Sequence, residues 1–283
     1  MANSVPSGET TTTQRLREFA FSDEDFAALR ALVKRVTGIH LSDQKRELVY
    51  GRLSRRLRAL GLKSFRDYRR RLGADSAELA QLANAITTNL TAFFREPHHF
   101  DHLRELLRTR AAGGGSGRRL RIWSAGCSSG EEPYSIAMTV LETVPDLPRW
   151  DIRILATDLD SDMLERGRRG VYAAERVRAL GPARVGRFFS AVSGGLQVVP
   201  GLGRLIAFRQ LNLMHPLPMK GPLDVIFCRN TVIYFDRQTQ RDLFGRIAAL
   251  QRSGDVLFLG HSESLFKVCD DYTLMGKTIY RRN

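Results

Sequence analysis

The sequence is poor in cysteine and contains no long apolar run. Its three cysteines, Cys127, Cys228 and Cys269, are odd in number, far apart and unlike any metal-ligand spacing, which excludes a disulfide framework and favours a reducing compartment. No stretch approaches the roughly 20 apolar residues of a membrane helix, and the first residues lack the apolar core of a signal peptide. We therefore expect a cytoplasmic protein without direct membrane insertion.

What the sequence does contain is an ordinary globular composition with a large excess of positive charge. Of its 283 residues, 43% are hydrophobic and 26% are charged, which excludes a disordered or low-complexity chain. The length predicts one larger and one smaller domain. Lys and Arg number 44 against 30 Asp and Glu, a formal charge of +14, so an anionic partner is expected: nucleic acid, a lipid surface or an acidic protein.

The N-terminal third of the chain is predicted to be helical. Residues 1–20 are rich in Ser and Thr and predict a flexible tail. An all-α domain is expected over 21–88, followed by a linker segment over 89–117 that ends in the run AAGGGSG at 111–117. The predicted helices lie near 22–38, 42–61, 64–72, 76–88 and 97–110.

Residues 118–283 change to a pattern of short, nearly continuous apolar runs. LRIWSA, DIRILATD and DVIFCRN are each followed by a helical stretch, and DVLFLG is a fourth such run. This alternation predicts an α/β domain with a parallel sheet covered by helices on both faces. Residues 195–211 read as an inserted pair of strands, and YTLMGKTIYRR reads as a terminal hairpin.

The loop after the first predicted strand, AGCSSGEEP, is a candidate ligand site. Gly126 and Gly130 do not match the G-x-G-x-x-G spacing of a dinucleotide loop, and Glu131 and Glu132 at the helix start oppose a pyrophosphate there. Two acids suit a positively charged ligand such as S-adenosylmethionine. The alternative is a tight turn without a ligand.

The second predicted strand ends in an acid, Asp158, that is placed to accept hydrogen bonds from the ribose hydroxyls of an adenosyl group. Asp160 is predicted to be the N-cap of the next helix. Together with the glycine loop, the strand-end acid favours an adenosine-bearing ligand, with NAD as the rival of S-adenosylmethionine.

Five ordered motifs, TTNLTAFFREPHHF, RIWSAGCSSGEEPYSIA, LATDLD, DVIFCRNTVIYFD and GHSESL, resemble those of the CheR-type chemotaxis receptor methyltransferases. The resemblance implies a Rossmann-like methyltransferase sheet with a small β-subdomain, here about 187–211, preceded by the all-α domain. It also implies S-adenosyl-L-methionine as cofactor, S-adenosyl-L-homocysteine as product, and glutamate side chains of membrane chemoreceptors as the methylated groups.

The resemblance assigns site residues position by position. From their chemistry we assign Arg95 and Tyr234 to catalysis: Arg95 would place the carboxylate of the ligand or the substrate, and Tyr234 would orient the substrate oxygen or line the methyl channel. The alternatives are a salt bridge of Arg95 with Glu96 or a neighbouring helix, and Tyr234 as an aromatic wedge that caps the sheet. Thr231 stands where relatives commonly have an apolar residue. The insertion is a few residues short, so we do not expect the β-subdomain to hold a receptor tail pentapeptide. The cofactor-binding residues implied are Asn89, Thr91, Arg95, Glu132, Asp158, Asn212, Leu213, Arg229 and Asn230.

The segment 44–71 is the most basic part of the chain, with eleven basic and two acidic residues and hence a net charge of +9. At helical spacing, Val49, Leu53, Leu57 and Leu60 form an apolar stripe, and a basic arc adjoins it. We interpret this arc as a docking surface for the acidic coiled coil of a chemoreceptor; the alternative is a solvated face. The arc consists of Lys45, Arg52, Arg55 and Arg56.

Other motifs carry less weight. His98 and His102 lie at i and i+4, but no third distant ligand accompanies them, so no metal site is expected. GHSES is interpreted as a loop near the pocket rim, and Cys228 as a packing residue. A nucleic-acid methyltransferase and a non-enzymatic adapter are the rival functions; we expect neither nucleic-acid binding nor oligomerisation.

Overall fold

The computed structural model describes residues 17–112 and 118–283. Most of the predicted tail and the 113–117 part of the linker lie outside the described residues. The tail prediction is wrong for its last residues, because Phe19 is 7% exposed and packs in the helical core, with its ring 6.4 Å from Phe65.

The N-terminal domain is a four-helix bundle, as predicted. A capping box at Ser22 starts the first helix, and Gly38, at φ 75°, ends it. The apolar stripe predicted for the second helix lies in the core of the bundle, where Val49, Leu53 and Leu57 are fully buried. The helices are α1 (Asp23–Thr37), α2 (Arg46–Ala59, preceded by a 3-10 turn, Asp43–Lys45), α3 (Phe65–Ala74) and α4 (Ser76–Ile86).

The C-terminal domain, residues 118–283, holds a seven-stranded sheet in the order β6-β2-β1-β7-β8-β10-β9. The first five strands of that order are parallel, and the terminal hairpin β9–β10 adds two antiparallel strands, as predicted. The strands are β1 (Arg119–Ala125), β2 (Asp151–Asp158), β6 (Ile206–Gln210), β7 (Val225–Cys228), β8 (Val256–Leu259), β9 (Tyr272–Gly276) and β10 (Ile279–Arg282).

Helices cover both faces of the sheet, with one apolar cluster on each side. Cys228 is fully buried in β7, which confirms its packing role. Among the described residues, none of the helices is long and apolar enough to cross a lipid bilayer. The helices are α5 (His98–Ala112), α6 (Glu131–Thr143), α7 (Ser161–Arg169), α8 (Ala174–Arg178), α9 (Pro182–Phe188), α10 (Pro200–Gly203) and α11 (Arg237–Ala248).

The small subdomain differs from the predicted insertion at 187–211. A separate antiparallel sheet in the order β3-β5-β4 joins β3 (Val171–Tyr172), β4 (Phe189–Val192) and β5 (Gly195–Val198). The second strand of the expected pair, LIAFRQL, is β6, which pairs in parallel with β2 at the edge of the main sheet. The subdomain therefore begins earlier than predicted and ends before β6. The prediction misplaced LIAFRQL because the periodicity of a strand does not specify which sheet it joins.

Three contacts join the N-terminal bundle to the C-terminal domain near the carboxyl ends of the strands. Lys34 and Asp236 form an ion pair at 2.7 Å. Asn212 Nδ2 donates to the carbonyl oxygen of Val36 at 2.7 Å, and the His40 amide donates to the Tyr234 carbonyl at 2.8 Å. The end of α1 thereby lies over the loops that leave β6 and β7.

Candidate active site

A cavity that encloses about 950 Å³, counting the open solvent at its mouth, lies between the end of α1, the segment 87–95 and the carboxyl ends of β1, β2 and β7. Clefts beyond the carboxyl ends of parallel strands are typical ligand sites in α/β proteins. The structure brings every predicted cofactor and catalytic residue to its wall. These are Asn89, Thr91, Arg95, Glu132, Asp158, Asn212, Leu213, Arg229, Asn230 and Tyr234.

The loop after β1 approaches the cavity with bare backbone. Gly126 has a φ of 80°, and a Cβ there would collide with the Thr231 hydroxyl, so only glycine fits. The Gly126 and Cys127 amides donate to the Thr157 carbonyl at 2.8 and 2.9 Å, which ties the loop to the end of β2. Thr231 Oγ1 lies 3.1 Å from the Arg229 carbonyl and lines the cavity.

Asp158 is a buried carboxylate at the end of β2. It accepts hydrogen bonds from the amides of Ser128 at 2.7 Å and Asp160 at 2.9 Å. Burial raises the pKa of Asp158 to about 6, although these amide donors act in the opposite direction. Each carboxylate oxygen keeps a free lone pair, so the group can still accept bonds from two neighbouring hydroxyls.

Asp160 is the N-cap of α7, as predicted, and accepts from the amides of Asp162 and Met163. Its other oxygen accepts from Asn89 Nδ2 at 2.8 Å and from the Thr87 hydroxyl at 2.9 Å. Asn89 therefore fixes the segment 87–95 against α7, and its side chain is already engaged in a protein contact.

Glu132 and Arg229 form an ion pair in the cavity wall, with Arg229 Nη1 2.9 Å from Glu132 Oε2. Burial raises the pKa of Glu132, and Arg229 together with a 2.6 Å bond from the Ser124 hydroxyl acts against that rise. Arg229 also donates to the Arg95 carbonyl and lies 3.3 Å from Glu96. Of the two acids at the helix start only Glu132 faces the cavity, since Glu131 is fully buried beside Arg176 at 2.8 Å.

Arg95 and Tyr234 lie at the cavity rim. Arg95 Nη1 donates to the Leu90 carbonyl at 2.8 Å, and no carboxylate of the described residues lies within ion-pair distance of it. Tyr234 ends a 3-10 turn, Val232–Tyr234, and is half-buried. Both residues line the cavity, and each has hydrogen-bonding capacity left for a ligand.

Glu263 is a site residue that the sequence analysis did not identify. Its buried carboxylate accepts five backbone amides: Oε1 from Thr231, Val232 and Ile233 at 2.9, 2.9 and 3.3 Å, and Oε2 from Asn230 at 2.8 Å and Gly260 at 2.6 Å. It holds the loop that carries the cavity residues 229–234. The acid inside GHSES was the available signal, but the loop position alone did not indicate what it binds.

The basic arc of α2 is divided by the structure. Arg52 Nη1 donates to the carbonyls of Ile86 and Thr87 at 2.6 and 2.7 Å, at the end of α4. Arg56 forms a bidentate pair with buried Glu78 at 2.7 and 2.6 Å. The prediction that all four basic side chains form a free docking face is therefore wrong for Arg52 and Arg56, because both donate to acceptors within the N-terminal domain.

Lys45 and Arg55 remain exposed, and neither forms an ion pair with any residue that the structure describes. Their face borders the cavity through Arg52. Burial and the neighbouring Arg55 lower the pKa of the Arg52 guanidinium, whereas Tyr234 acts in the opposite direction. Arg52 thus lies between the exposed arginine and the cavity rim.

Comparisons with known proteins agree with this geometry. A family model described as "CheR methyltransferase, all-alpha domain" matches residues 24–87, and one described as "CheR methyltransferase, SAM binding domain" matches residues 89–281. The chemotaxis protein methyltransferase of Salmonella typhimurium is 42% identical over 289 aligned positions, covering 99% of this chain and 98% of that protein.

Two further relatives give the same picture. The chemotaxis protein methyltransferase of Escherichia coli is 41% identical and covers 99% of this chain and 98% of its own length. Chemotaxis protein methyltransferase 2 of Pseudomonas aeruginosa is 43% identical, with 93% and 95% covered.

Proposed function

Because the chain belongs to the CheR family and is an S-adenosylmethionine-dependent methyltransferase, we propose that it methylates glutamate side chains of membrane chemoreceptors and produces glutamate methyl esters. The observation that carries the proposal is that an adenosyl-compatible acid, Asp158, and an arginine without an ion-pair partner among the described residues, Arg95, line the same cavity. We further propose that the enzyme acts in the cytoplasm as a monomer.

The cofactor pocket fits its ligand by the chemistry of its donors and acceptors. Asp158 would accept hydrogen bonds from the two ribose hydroxyls, and the bare backbone at Gly126 would let the ligand approach closely. Glu132 supplies negative charge for the ammonium group, moderated by its pairing with Arg229. The remaining pocket residues proposed for the cofactor are Asn89, Thr91, Arg95, Asn212, Leu213 and Asn230.

The reaction requires alignment more than acid–base chemistry. When bound, S-adenosylmethionine supplies a methyl group already activated by a sulfonium. A glutamate carboxylate is ionised at neutral pH, so no protein base has to remove a proton. The task of the chain is to place the carboxylate oxygen in line with that methyl group and to exclude water.

Arg95 and Tyr234 are the residues proposed to place the substrate. The bond from Arg95 Nη1 to the Leu90 carbonyl fixes one side of the guanidinium and leaves its other N–H groups for a carboxylate. Tyr234 orients the attacking oxygen or lines the methyl channel. Anion and cation become a neutral ester and a thioether, so a rim with few charges avoids over-stabilising the ground state.

The receptor is proposed to dock through its acidic coiled coil on the exposed side of α2. Lys45 and Arg55 provide the positive charge there, and Arg52 connects this face to the cavity rim. An interaction of this kind acts mainly on the encounter of the two proteins and weakens as salt is added.

The test uses tritiated S-adenosylmethionine and a receptor cytoplasmic fragment, with base-labile label as the measure of methyl ester. Arg55→Glu is expected to lower kcat/KM for the receptor by about fivefold, since reversing a rim charge costs about 1 kcal/mol. Cofactor affinity, measured by calorimetry, should not change. The fold change should shrink at high ionic strength.

Arg108→Glu is the matched control. It reverses the charge of an exposed arginine near the end of α5. The Arg110–Asp224 ion pair, at 2.8 Å, places this end of α5 beside the amino end of β7, whereas the cavity lies at the carboxyl ends of the strands. Wild-type receptor kinetics in Arg55→Glu would refute the docking proposal, and label that survives mild base would refute glutamate as the acceptor.

A further inference from the structure

A second group of polar side chains lies beside the cofactor cavity, at the start of α5. Glu96, His98 and His99 each offer a ligand atom, and these atoms lie within 4.8 Å of one another. Glu96 has a φ of 58°, which turns its carboxylate back over the first turn of the helix. The pair suggested by the sequence, His98 and His102, is not the one brought together, because His102 packs its edge on Phe258 with ring centroids 5.8 Å apart.

The hydrogen bonds of both imidazoles leave a nitrogen free. His98 Nε2 and His99 Nε2 lie 3.0 and 3.3 Å from the same acceptor, the Lys277 carbonyl oxygen. A carbonyl cannot donate, so His98 directs its N–H there and keeps a lone pair on Nδ1. His99 Nε2 also lies 3.2 Å from the Thr278 hydroxyl, but the single proton of that hydroxyl is directed at the carbonyl of Leu259 at 2.9 Å or of Lys277 at 2.6 Å. His99 therefore also donates from Nε2 and keeps its lone pair on Nδ1. Metal-bound histidines typically have this arrangement, in which the other ring nitrogen donates to a backbone carbonyl.

Two buried acceptors face each other inside the group. His99 is fully buried, and its Nδ1 lies 3.6 Å from Glu96 Oε2. Neither atom has a hydrogen-bond partner among the residues that the structure describes. Two opposed lone pairs without a shared proton are unfavourable, and a cation bound by both would compensate them.

The neighbouring charges leave room for such a cation. Arg229 lies 3.3 Å from Glu96 Oε2, but its other contacts are with Glu132 and the Arg95 carbonyl. A carboxylate offers about four lone-pair sites, so Glu96 can bind a metal and Arg229 together. His261 Nδ1 lies 3.3 Å from Glu96 Oε1 on the solvent side, where a further ligand can join and where an ion can enter.

We propose that Glu96, His98 and His99 bind a divalent transition-metal ion such as Zn²⁺, with its remaining coordination position on the solvent side. Imidazole nitrogens with one carboxylate favour Zn²⁺, Co²⁺ or Ni²⁺, whereas Mg²⁺ and Ca²⁺ prefer oxygen ligands alone. The site borders the cofactor cavity through Glu96 and Arg229 but uses no residue assigned to the methyl donor.

The experiment titrates the metal-stripped full chain, without an affinity tag, with ZnCl₂ in a calorimeter and with CoCl₂ in a visible spectrophotometer. The wild-type chain should bind one equivalent and give the absorption of imidazole-bound cobalt. His98→Ala, which removes a half-buried ligand and leaves the core intact, should weaken binding by about tenfold or more. Glu96→Gln should act in the same direction.

His102→Ala is the matched control, because it removes an imidazole from the same helix outside the group. It should bind Zn²⁺ as the wild type does. Circular dichroism and S-adenosylmethionine titration establish that each variant is folded. Equal Zn²⁺ affinity in the wild type and His98→Ala, equal loss in His102→Ala, or no stoichiometric binding by the wild type would each overturn the proposal.

Discussion

Replacing Glu263 with glutamine tests how the loop of residues 229–234 is held. Five backbone amides donate to this carboxylate at 2.6 to 3.3 Å, three to Oε1 and two to Oε2. In Glu263→Gln the amide oxygen can serve the group of three, and its NH₂ then faces the amides of Asn230 and Gly260. Each buried donor left without a partner costs about 1–3 kcal/mol.

Part of that cost is offset, because burial raises the pKa of Glu263 and removing the charge relieves its desolvation. We therefore expect Glu263→Gln to lower the free energy of unfolding by about 2–4 kcal/mol. The loop also positions Asn230 and Tyr234 in the cavity wall. If displacement of this loop in Glu263→Gln removes about one hydrogen bond to the cofactor, S-adenosylmethionine should bind roughly tenfold more weakly.

Urea unfolding followed by circular dichroism measures the free energy of unfolding, and calorimetric titration measures the affinity for S-adenosylmethionine. Glu263→Asp keeps the charge and should retain more of the stability and of the cofactor affinity than Glu263→Gln does. Glu165→Gln, an exposed acid paired with Arg168 at 3.6 Å, is the surface control and should change unfolding by less than about 0.5 kcal/mol. A glutamine variant as stable as this control, with unchanged cofactor affinity, would refute the reasoning.

Two other variants test single contacts. The pKa of Asp158 is raised to about 6, above its unfolded value, so its ionised fraction falls about tenfold per pH unit below 6. The affinity for S-adenosylmethionine should fall together with this ionised fraction, and Asp158→Asn should lack that pH dependence. The contribution of Asp158 to folding stability should decrease as the pH rises towards 6, because the protonated form is favoured in the folded state. A wild-type affinity that does not change with pH would contradict the assignment. Arg56→Ala leaves the buried Glu78 carboxylate with only the Tyr68 hydroxyl, at 3.0 Å, as a partner. It should lower the free energy of unfolding in urea by about 3 kcal/mol, whereas Arg55→Ala, at an exposed position, should lower it little. Equal losses in the two variants would show that the Arg56–Glu78 pair does not stabilise the fold.

The parts of the fold that follow from local pattern were predictable. The apolar runs ending at Ala125, Asp158 and Cys228 became neighbouring parallel strands, and parallel strands bring their carboxyl ends to one edge. The acids and small residues that follow those runs therefore meet in one cavity. The hairpin at the C-terminus was predictable for a similar reason, since two short strands flank a central glycine.

The parts that depend on long-range partners were not predictable. Arg52 and Arg56 resemble solvated residues in a basic run, but their acceptors lie 22 to 35 residues away in α4 or just after it, and no periodicity of the sequence reveals them. The strand β6 was assigned to the wrong sheet because its partner, β2, is chosen by tertiary packing. Glu263 was missed because backbone amides, which every residue has, leave no signature in the sequence.

The hydrogen bond from Asn212 to the Val36 carbonyl and the one from the His40 amide to the Tyr234 carbonyl place the bundle on the rim of the methyl-donor pocket. Thr37 and Ile39 of the helical domain line this pocket, so a molecule that contacts them and the catalytic domain together would stabilise the two domains against each other. If the receptor docks on the helical domain as proposed, any effect of the bound methyl donor on receptor affinity must be matched by an equal effect of the receptor on donor affinity.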